Sequence, residues 1–230
     1  MAMTTNAVVA HGRETRAHGD RVTRVRPIPP AKRALDVALS GAGLLLSAPL
    51  WAVAALAIKL EDGGPVFYSQ ERVGEGGRLF RAWKFRSMVP DAERHVGALQ
   101  ARENDPRVTR IGTFMRATAM DELPQLWNIF VGDMSFVGPR ALRPGEIEVV
   151  GDGRMEALEE VPGYADRCRV RPGLTGIAQV YAPRDITRRN KFRYDRLYID
   201  RQSFWLDARL IGVSFWITFR GRWETRARKF

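Results

Sequence analysis

The chain carries a single cysteine, Cys168, in 230 residues. An intramolecular disulfide and any multi-cysteine metal site are thereby excluded. Histidine is nearly as scarce: there are three, and two of them, His11 and His18, lie near the N-terminus. That leaves little material for a zinc centre, and the chain reads as a reduced, cytoplasm-facing protein. Also missing are a Walker A loop, a G-x-S-x-G elbow and zinc-ligand spacing, so P-loop, hydrolase and zinc-enzyme chemistries have no sequence support. Gly74–Gly77 is rich in glycine, but it reads as a turn and a weak signal for anything else. There are no internal repeats and no low-complexity tract.

Acids are the minority charge, 26 against 37 Lys and Arg, for a net charge of +11. Residues 1–33 contribute +5 and residues 220–230 contribute +4, so nine of the eleven surplus charges sit at the ends. A nucleic-acid binder usually spreads its cations over a folded face with aromatics between them, so this pattern fits one less well than a membrane surface. Basic ends flanking apolar segments suit an anionic membrane surface.

Between Val37 and Ile58 run 22 residues without a formal charge, enough to span a bilayer, which takes roughly 20. The run starts too far in for a signal peptide and has no convincing cleavage site after it. Pro49 sits near its middle, where it removes a backbone donor and crowds the preceding turn. Lys32 and Arg33 precede the run and Lys59 follows it, so both ends favour the cytoplasmic side. These residues predict a helix broken at Ser47-Ala48-Pro49 that enters the membrane and returns, with the Ser47 hydroxyl available to satisfy freed backbone. A buried core helix and a kinked through-span remain the alternatives.

Beyond the run, Gly63-Gly64-Pro65 signals a turn, and Val66–Ser69 and Leu79–Phe85 read as strands of a hairpin. Pro90–Glu103 reads as a polar surface helix, and Glu146–Glu160 as a second polar, partly helical stretch. The block 204–219, with Phe204, Trp205, Phe215, Trp216 and Phe219 followed by basic residues, has the pattern of an interfacial helix, or else of an ordinary buried one. The expected fold class is α+β, mainly helical.

The chemistry-bearing residues cluster around Asp121-Glu122-Leu123-Pro124. Proline is tolerated in a helix's first turn, which predicts a helix from near Leu123 with two carboxylates at its N-terminus. Capping alone accounts for acids there. The surroundings add another reading. Arg116 lies five residues before Asp121, Arg140 follows in Phe136-Val137-Gly138-Pro139-Arg140, and Lys84 and Arg86 stand in Trp83-Lys84-Phe85-Arg86. Carboxylates among cations suit a divalent metal plus a diphosphate, with arginines on the non-bridging oxygens and a carboxylate able to attack phosphorus.

Many short motifs, in order, resemble the monotopic phosphoglycosyl transferases, a bacterial sugar-transferase family. They are Lys32-Arg33…Asp36, the run with Pro49, Gly64-Pro65-Val66-Phe67-Tyr68, Gln70-Glu71-Arg72-Val73-Gly74, Lys84-Phe85-Arg86-Ser87-Met88, Asp121–Asn128, Gly132-Asp133-Met134-Ser135, Gly138-Pro139-Arg140 and Arg171–Gly176. The resemblance covers residues from about 31 to 220. It implies a re-entrant helix over 31–60, a catalytic domain with interfacial amphipathic helices over 61–220, and basic tails at 1–30 and 221–230. It implies Asp121 as nucleophile toward a UDP-sugar, Glu122 as its partner, and Mg²⁺ held by Asp121 and Glu122. Phosphate contacts fall to Lys84, Arg116, Arg140 and, less directly, Arg86. Polyprenyl (undecaprenyl) phosphate is the implied acceptor and UMP the leaving product, at the cytoplasmic face of a bacterial inner membrane amid phospholipids. The product would feed exopolysaccharide, capsule or O-antigen synthesis. UDP-glucose and UDP-galactose are the donors the family suggests, and a homodimer is compatible with it. Two positions depart from the family pattern. Ala48 separates Ser47 from the membrane proline, and Ala141 replaces the proline usual after Gly-Pro-Arg. The competing classes are a membrane-associated scaffold, in which Asp121 and Glu122 only cap a helix, and a nucleic-acid binder using its basic tails.

Overall fold

A computed structural model of the chain describes residues 24–92, 105–149, 154–183, 186–220 and 223. Most of the surface helix expected over Pro90–Glu103 and most of both basic tails lie outside these residues.

The longest element is α1, Pro30–Asp62, 33 residues. Pro30 opens it where a missing N–H costs nothing. Gly63 closes it in the left-handed region (φ 71°), returning its N–H to the Lys59 carbonyl at 3.0 Å. The expected break at Ser47-Ala48-Pro49 is corrected: helical conformation continues through Pro49. A proline deletes one ladder bond and displaces one carbonyl, which bends a helix more readily than it ends one. The Ser47 hydroxyl accepts from the Trp51 indole at 3.0 Å, and Trp51 packs on Phe67 and Phe85 with centroids 5.9 and 5.4 Å away. Among the described residues α1 is the one helix long and apolar enough to cross a membrane.

Both ends of α1 are fastened to the same body. At the start, buried Lys32 donates to the Val137 carbonyl (2.9 Å) and to Asp207 (2.8 Å). Asp36 accepts from the Ser135 hydroxyl and the Phe136 amide, each at 3.0 Å. At the far end Glu61 accepts from the Arg110 and Ile111 amides, at 2.7 and 3.3 Å. Between these ends Leu45, Leu46, Leu50, Val53 and Leu56 are exposed.

The predicted hairpin forms. Strands β1 (Phe67–Val73) and β2 (Leu79–Phe85) pair antiparallel, with Phe67 opposite Phe85 and Val73 opposite Leu79. A short helix α2 (Arg110–Ala117) follows, its N-terminus capped by Thr109, which accepts from the Gly112 amide at 2.9 Å. Next come a single 3₁₀ turn, Met120–Glu122, and α3 (Gln125–Val131). The sequence places the helix start near Leu123. The α-helix itself begins at Gln125, after Pro124, so the carboxylates occupy the turn before it.

Strand β3 (Ser135–Val137) pairs parallel with β6 (Gly173–Thr175). This close approach needs two glycines: a Cβ on Gly173 would lie 2.0 Å from the Gly138 nitrogen. Glu146–Glu160, expected as partly α-helical, instead holds strands β4 (Ile147–Val149) and β5 (Met155–Ala157), followed by a 3₁₀ turn. Helices α4 (Tyr164–Arg167), α5 (Ile177–Tyr181), α6 (Arg188–Arg201) and α7 (Phe204–Phe219) follow among the described residues.

The main core joins α3, β3, α5, α6 and α7 through Leu126, Ile129, Phe136, Val137, Val180, Tyr198 and Leu210. A separate cluster, Ala54, Ile58, Phe85 and Met115, seals the second half of α1 against the hairpin and α2. The two clusters hold the 3₁₀ turn between them, since Leu123 packs against both.

Candidate active site

Asp121 and Glu122 sit in the turn that links α2 to α3. Ala119, just before it, adopts the left-handed region at φ 55°, a costly conformation for a residue with a side chain. That inversion reverses the chain after α2. Thr118 and Ala119 continue the helix bonding to Phe114 and Arg116 before the turn begins.

Four cations surround the two acids. Lys84, on β2, donates a short bond to Glu122 Oε1 and lies 3.8 Å from Asp121 Oδ2. Arg140, beyond β3, donates from Nη2 to the same Glu122 oxygen at 3.0 Å. Arg116, near the end of α2, adds positive potential at Asp121. Arg72, on β1, donates from Nη1 to the Ala141 carbonyl at 3.1 Å, and its positive charge also acts on the group around Glu122.

The acids respond differently to this setting. Burial, opposed chiefly by Lys84 and reinforced by the charge of Glu122, pushes the Asp121 carboxyl up to about 6. Burial works against Glu122 as well, but Lys84 and Arg140 bond to it directly and hold it well below the usual carboxylate range. Glu122 is therefore a fixed anion that anchors two cations, while Asp121 is a desolvated carboxylate without a short ion pair. Adjacent carboxylates driven apart in this way mark separate chemical roles.

Of the residues expected from the sequence, Lys84, Arg116, Asp121, Glu122 and Arg140 come together. Arg86 does not join them. It is buried with its guanidinium turned to Asp62, to which it donates a short bond at the end of α1. Residues 84 and 86 share a strand face by alternation, but β2 ends at Phe85 and Arg86 leaves it. Its place beside Gly64 is tight, since a Cβ there would lie 2.1 Å from Nη1.

Three contributions escaped the sequence reading. Arg72 stands in a motif quoted for the family but had no assigned role. Hairpin register was the available signal, because Tyr68, Gln70 and Arg72 lie opposite Lys84, Ala82 and Phe80 and so share one face with Lys84. Asn128, fully buried, stands in for a third strand. Its amide accepts from the Trp83 N–H (3.1 Å) and donates to the Arg81 carbonyl (2.8 Å), fixing the strand that carries Lys84. Arg167 donates to the Arg140 carbonyl at 2.6 Å and pairs with buried Asp195 at 3.1 Å, holding Arg140 from behind.

For a metal, the described residues offer no cluster of three or more His, Cys, Asp or Glu. Glu122 Oε1 is taken by Lys84 and Arg140, which leaves Glu122 Oε2 and the Asp121 carboxylate as donors. Two carboxylates fit Mg²⁺, which commonly binds through one or two carboxylates with waters and phosphate oxygens for the rest.

The chain is also similar to known proteins. The family model described as "Bacterial sugar transferase" matches residues 28–221. Undecaprenyl-phosphate glucose phosphotransferase of Komagataeibacter xylinus is 45% identical over 185 residues, 78% of this chain and 34% of its own length. A UDP-N-acetylgalactosamine-undecaprenyl-phosphate N-acetylgalactosaminephosphotransferase of Aeromonas hydrophila is 41% identical over 183 residues, 78% of this chain and 41% of its own. Exopolysaccharide production protein PSS of Rhizobium leguminosarum bv. phaseoli is 41% identical over 185 residues, covering 78% and 90% of the two chains. The chain spans well under half the length of the first two relatives. On the matched length and identity, the chain belongs to the bacterial sugar transferase family.

Proposed function

We propose that this protein transfers a sugar-1-phosphate from a UDP-sugar to polyprenyl phosphate, in the form of undecaprenyl phosphate, by way of a phospho-sugar carried on Asp121. The observation that carries the reading is the asymmetry of the acid pair. Glu122 is committed to Lys84 and Arg140, and Asp121 is a buried carboxylate held near 6 beside the same cations.

In the first step an Asp121 oxygen attacks the β-phosphorus of the UDP-sugar. The bond from that phosphorus to the bridging oxygen breaks, and UMP leaves with the electron pair. In the second step a phosphate oxygen of the lipid attacks the same phosphorus. The acyl-phosphate bond breaks, the carboxylate of Asp121 is restored, and a polyprenyl diphosphosugar is formed. Lys84, Arg116 and Arg140 supply fixed positive charge for the equatorial oxygens, which is the main task of a protein in phosphoryl transfer. Desolvation makes the Asp121 carboxylate a better nucleophile than a hydrated one. Mg²⁺ on the free oxygens of Asp121 and Glu122 would neutralise diphosphate charge when bound.

The lipid acceptor calls for a membrane site. Exposed leucines in the middle of α1, fastened ends with basic residues at each, and the aromatic face of α7 support a re-entrant seat at the cytoplasmic face of a bacterial inner membrane, among phospholipids. The product serves as the first lipid-linked step of an exopolysaccharide, capsule or O-antigen. The relatives named above differ in their sugar, glucose in one and N-acetylgalactosamine in another, so a panel of UDP-sugars is the direct test. With Mg²⁺ and polyprenyl phosphate, one of them should release UMP. Asp121→Asn should release none, and omission of the lipid should leave a phospho-sugar mass on Asp121. If Asp121→Asn keeps full turnover, the reading fails. Chelation should stop the reaction and added Mg²⁺ should restore it.

A further inference from the structure

Arg72 is the one member of the cationic cluster to which the chemistry above gives no task. It projects from the same hairpin face as Lys84, four residue pairs along the register. Two acceptors hold its guanidinium, the Ala141 carbonyl at 3.1 Å and Gln70 Oε1 at 2.7 Å. Neither is charged, and among the described residues Arg72 makes no ion pair. An arginine has five N–H donors in a planar fork, so the two bonds aim the group and leave donors over.

The neighbouring acids, Glu146 and Glu122, offset its charge only in part. Arg140 and Arg143 stand near it, and burial together with these two cations pushes the Arg72 guanidinium down to about 10. It therefore stays charged at neutral pH. Glu122 is already bonded by Lys84 and Arg140. Glu146 is taken by Arg188 at 2.6 Å and by the Arg143 amide at 3.2 Å. The result is a partly buried pocket of positive charge beside Arg140, whose own side chain is 49% exposed. Buried charge without a partner is costly, and a planar guanidinium pair is matched by phosphate oxygens.

We infer that Arg72 and Arg140 form a subsite for a phosphate monoester, used first by the departing UMP and then by the incoming lipid phosphate. This rests on the two-step reading of Asp121. In a displacement at phosphorus the attacking and leaving oxygens lie roughly in line. In the first step Asp121 attacks and the UMP oxygen leaves from the far side. In the second step the lipid phosphate attacks and Asp121 leaves. The position opposite Asp121 is thus filled twice, each time by a phosphate monoester, and one pair of guanidiniums serves both. We assign Arg72 to that side because it is fastened to Ala141, next to Arg140, while Lys84 stands 3.8 Å from Asp121 itself.

The test uses the full chain in detergent or nanodiscs, with Arg72→Gln and Arg72→Lys. Calorimetry with UMP and with uridine measures the phosphate contribution without any turnover. The wild type should bind UMP at least tenfold more tightly than uridine. Arg72→Gln should lose that preference while its uridine affinity and melting temperature stay unchanged, and Arg72→Lys should keep part of it. In steady-state assays Arg72→Gln should raise the UMP inhibition constant and the KM for polyprenyl phosphate together, by about tenfold or more. A rise in the UMP constant alone would assign Arg72 to the nucleotide only and overturn the shared subsite. Unchanged UMP preference in Arg72→Gln would overturn the phosphate role altogether. A wild type that binds UMP but forms no adduct on Asp121 would sink the two-step reading instead, with the binding arm still deciding the role of Arg72.

Discussion

A carboxylate held near 6 in a folded protein carries a cost, and Asp121 shows where it comes from. Its folded value of about 6 against an ordinary 3.8, at about 1.4 kcal/mol per pH unit, amounts to at most about 3 kcal/mol. The sign follows from the direction of the shift. An acid whose value is raised by folding costs nothing below pH 3.8, costs progressively more between 3.8 and 6, and costs the full amount above 6. Asp121→Asn should therefore melt higher than the wild type at pH 7.5 and show no such gain at pH 4, although it is inactive. Scanning calorimetry at the two pH values checks this, and a variant destabilised at pH 7.5 would mean that the charge is a structural asset. On the proposed mechanism the same shift shapes the acid limb of turnover. UDP-sugar turnover at low substrate should rise about tenfold per pH unit up to about 6 and then level, because the nucleophile must be ionised. Glu122, held low by Lys84 and Arg140, is ionised throughout and should add no second rise on the acid side. Glu122→Gln should instead loosen Lys84 and Arg140 and lower kcat by a hundredfold or more with the acid limb still present.

At the scale of the element, the start of α1 is the most telling. Lys32, Asp207 and the Tyr198 hydroxyl form a buried knot around the Val137 carbonyl, with the one Tyr198 hydroxyl proton shared between Asp207 at 2.9 Å and Val137 at 3.0 Å. It ties α1, α6 and α7 to the strand that leads into Gly138-Pro139-Arg140. Removing one side of a buried ion pair costs about 3–5 kcal/mol, because it strands the other charge. Lys32→Met should lower stability by that amount, and Lys32→Met with Asp207→Leu should recover much of it. A fully additive double variant would show that the two charges act independently.

Parts of these elements were legible in the sequence. The hairpin followed from strand-like runs around Gly74–Gly77, and α7 from the apolar block 204–219, which its observed limits match. The acid pair was legible because Pro124 and two carboxylates leave few local options. Other parts needed tertiary information. α6 was passed over because its sequence, Arg188–Arg201, is dominated by charge, and it is a helix because Phe192, Tyr198 and Ile199 find the core. Strands β4 and β5 are three residues each, and their pairing with one another overrides the helical character of their acids. Arg86 was misplaced because adjacency in sequence to Lys84 does not survive the end of a strand.

For the whole molecule the exposed apolar residues specify a prediction about membrane binding. In the middle of α1, Leu45 and Leu46 are 79% and 80% exposed, and at the two ends of α7, Trp205 and Phe219 are 79% and 85% exposed. Trp127 and Phe130 of α3, stacked at 6.0 Å, are also open to solvent. No monomeric protein in water gains from such a set, and burial of a leucine is worth about 1.5–3 kcal/mol. The basic ends add attraction of about 1 kcal/mol per cation near an anionic surface, but salt screens that part within about 3 Å at 1 M. If the apolar contacts dominate, the protein should stay with anionic vesicles in 1 M salt. Leu45→Glu/Leu46→Glu should then float far less efficiently, while Asp121 in the soluble fraction still accepts phospho-sugar from the UDP-sugar. Because both ends of α1 are fastened to the body, the substitution should not unfold the site. Loss of the adduct together with loss of flotation would mean that the membrane helps build the acid pair, and release of the wild type by salt alone would mean that the surface charge, not the leucines, seats the protein.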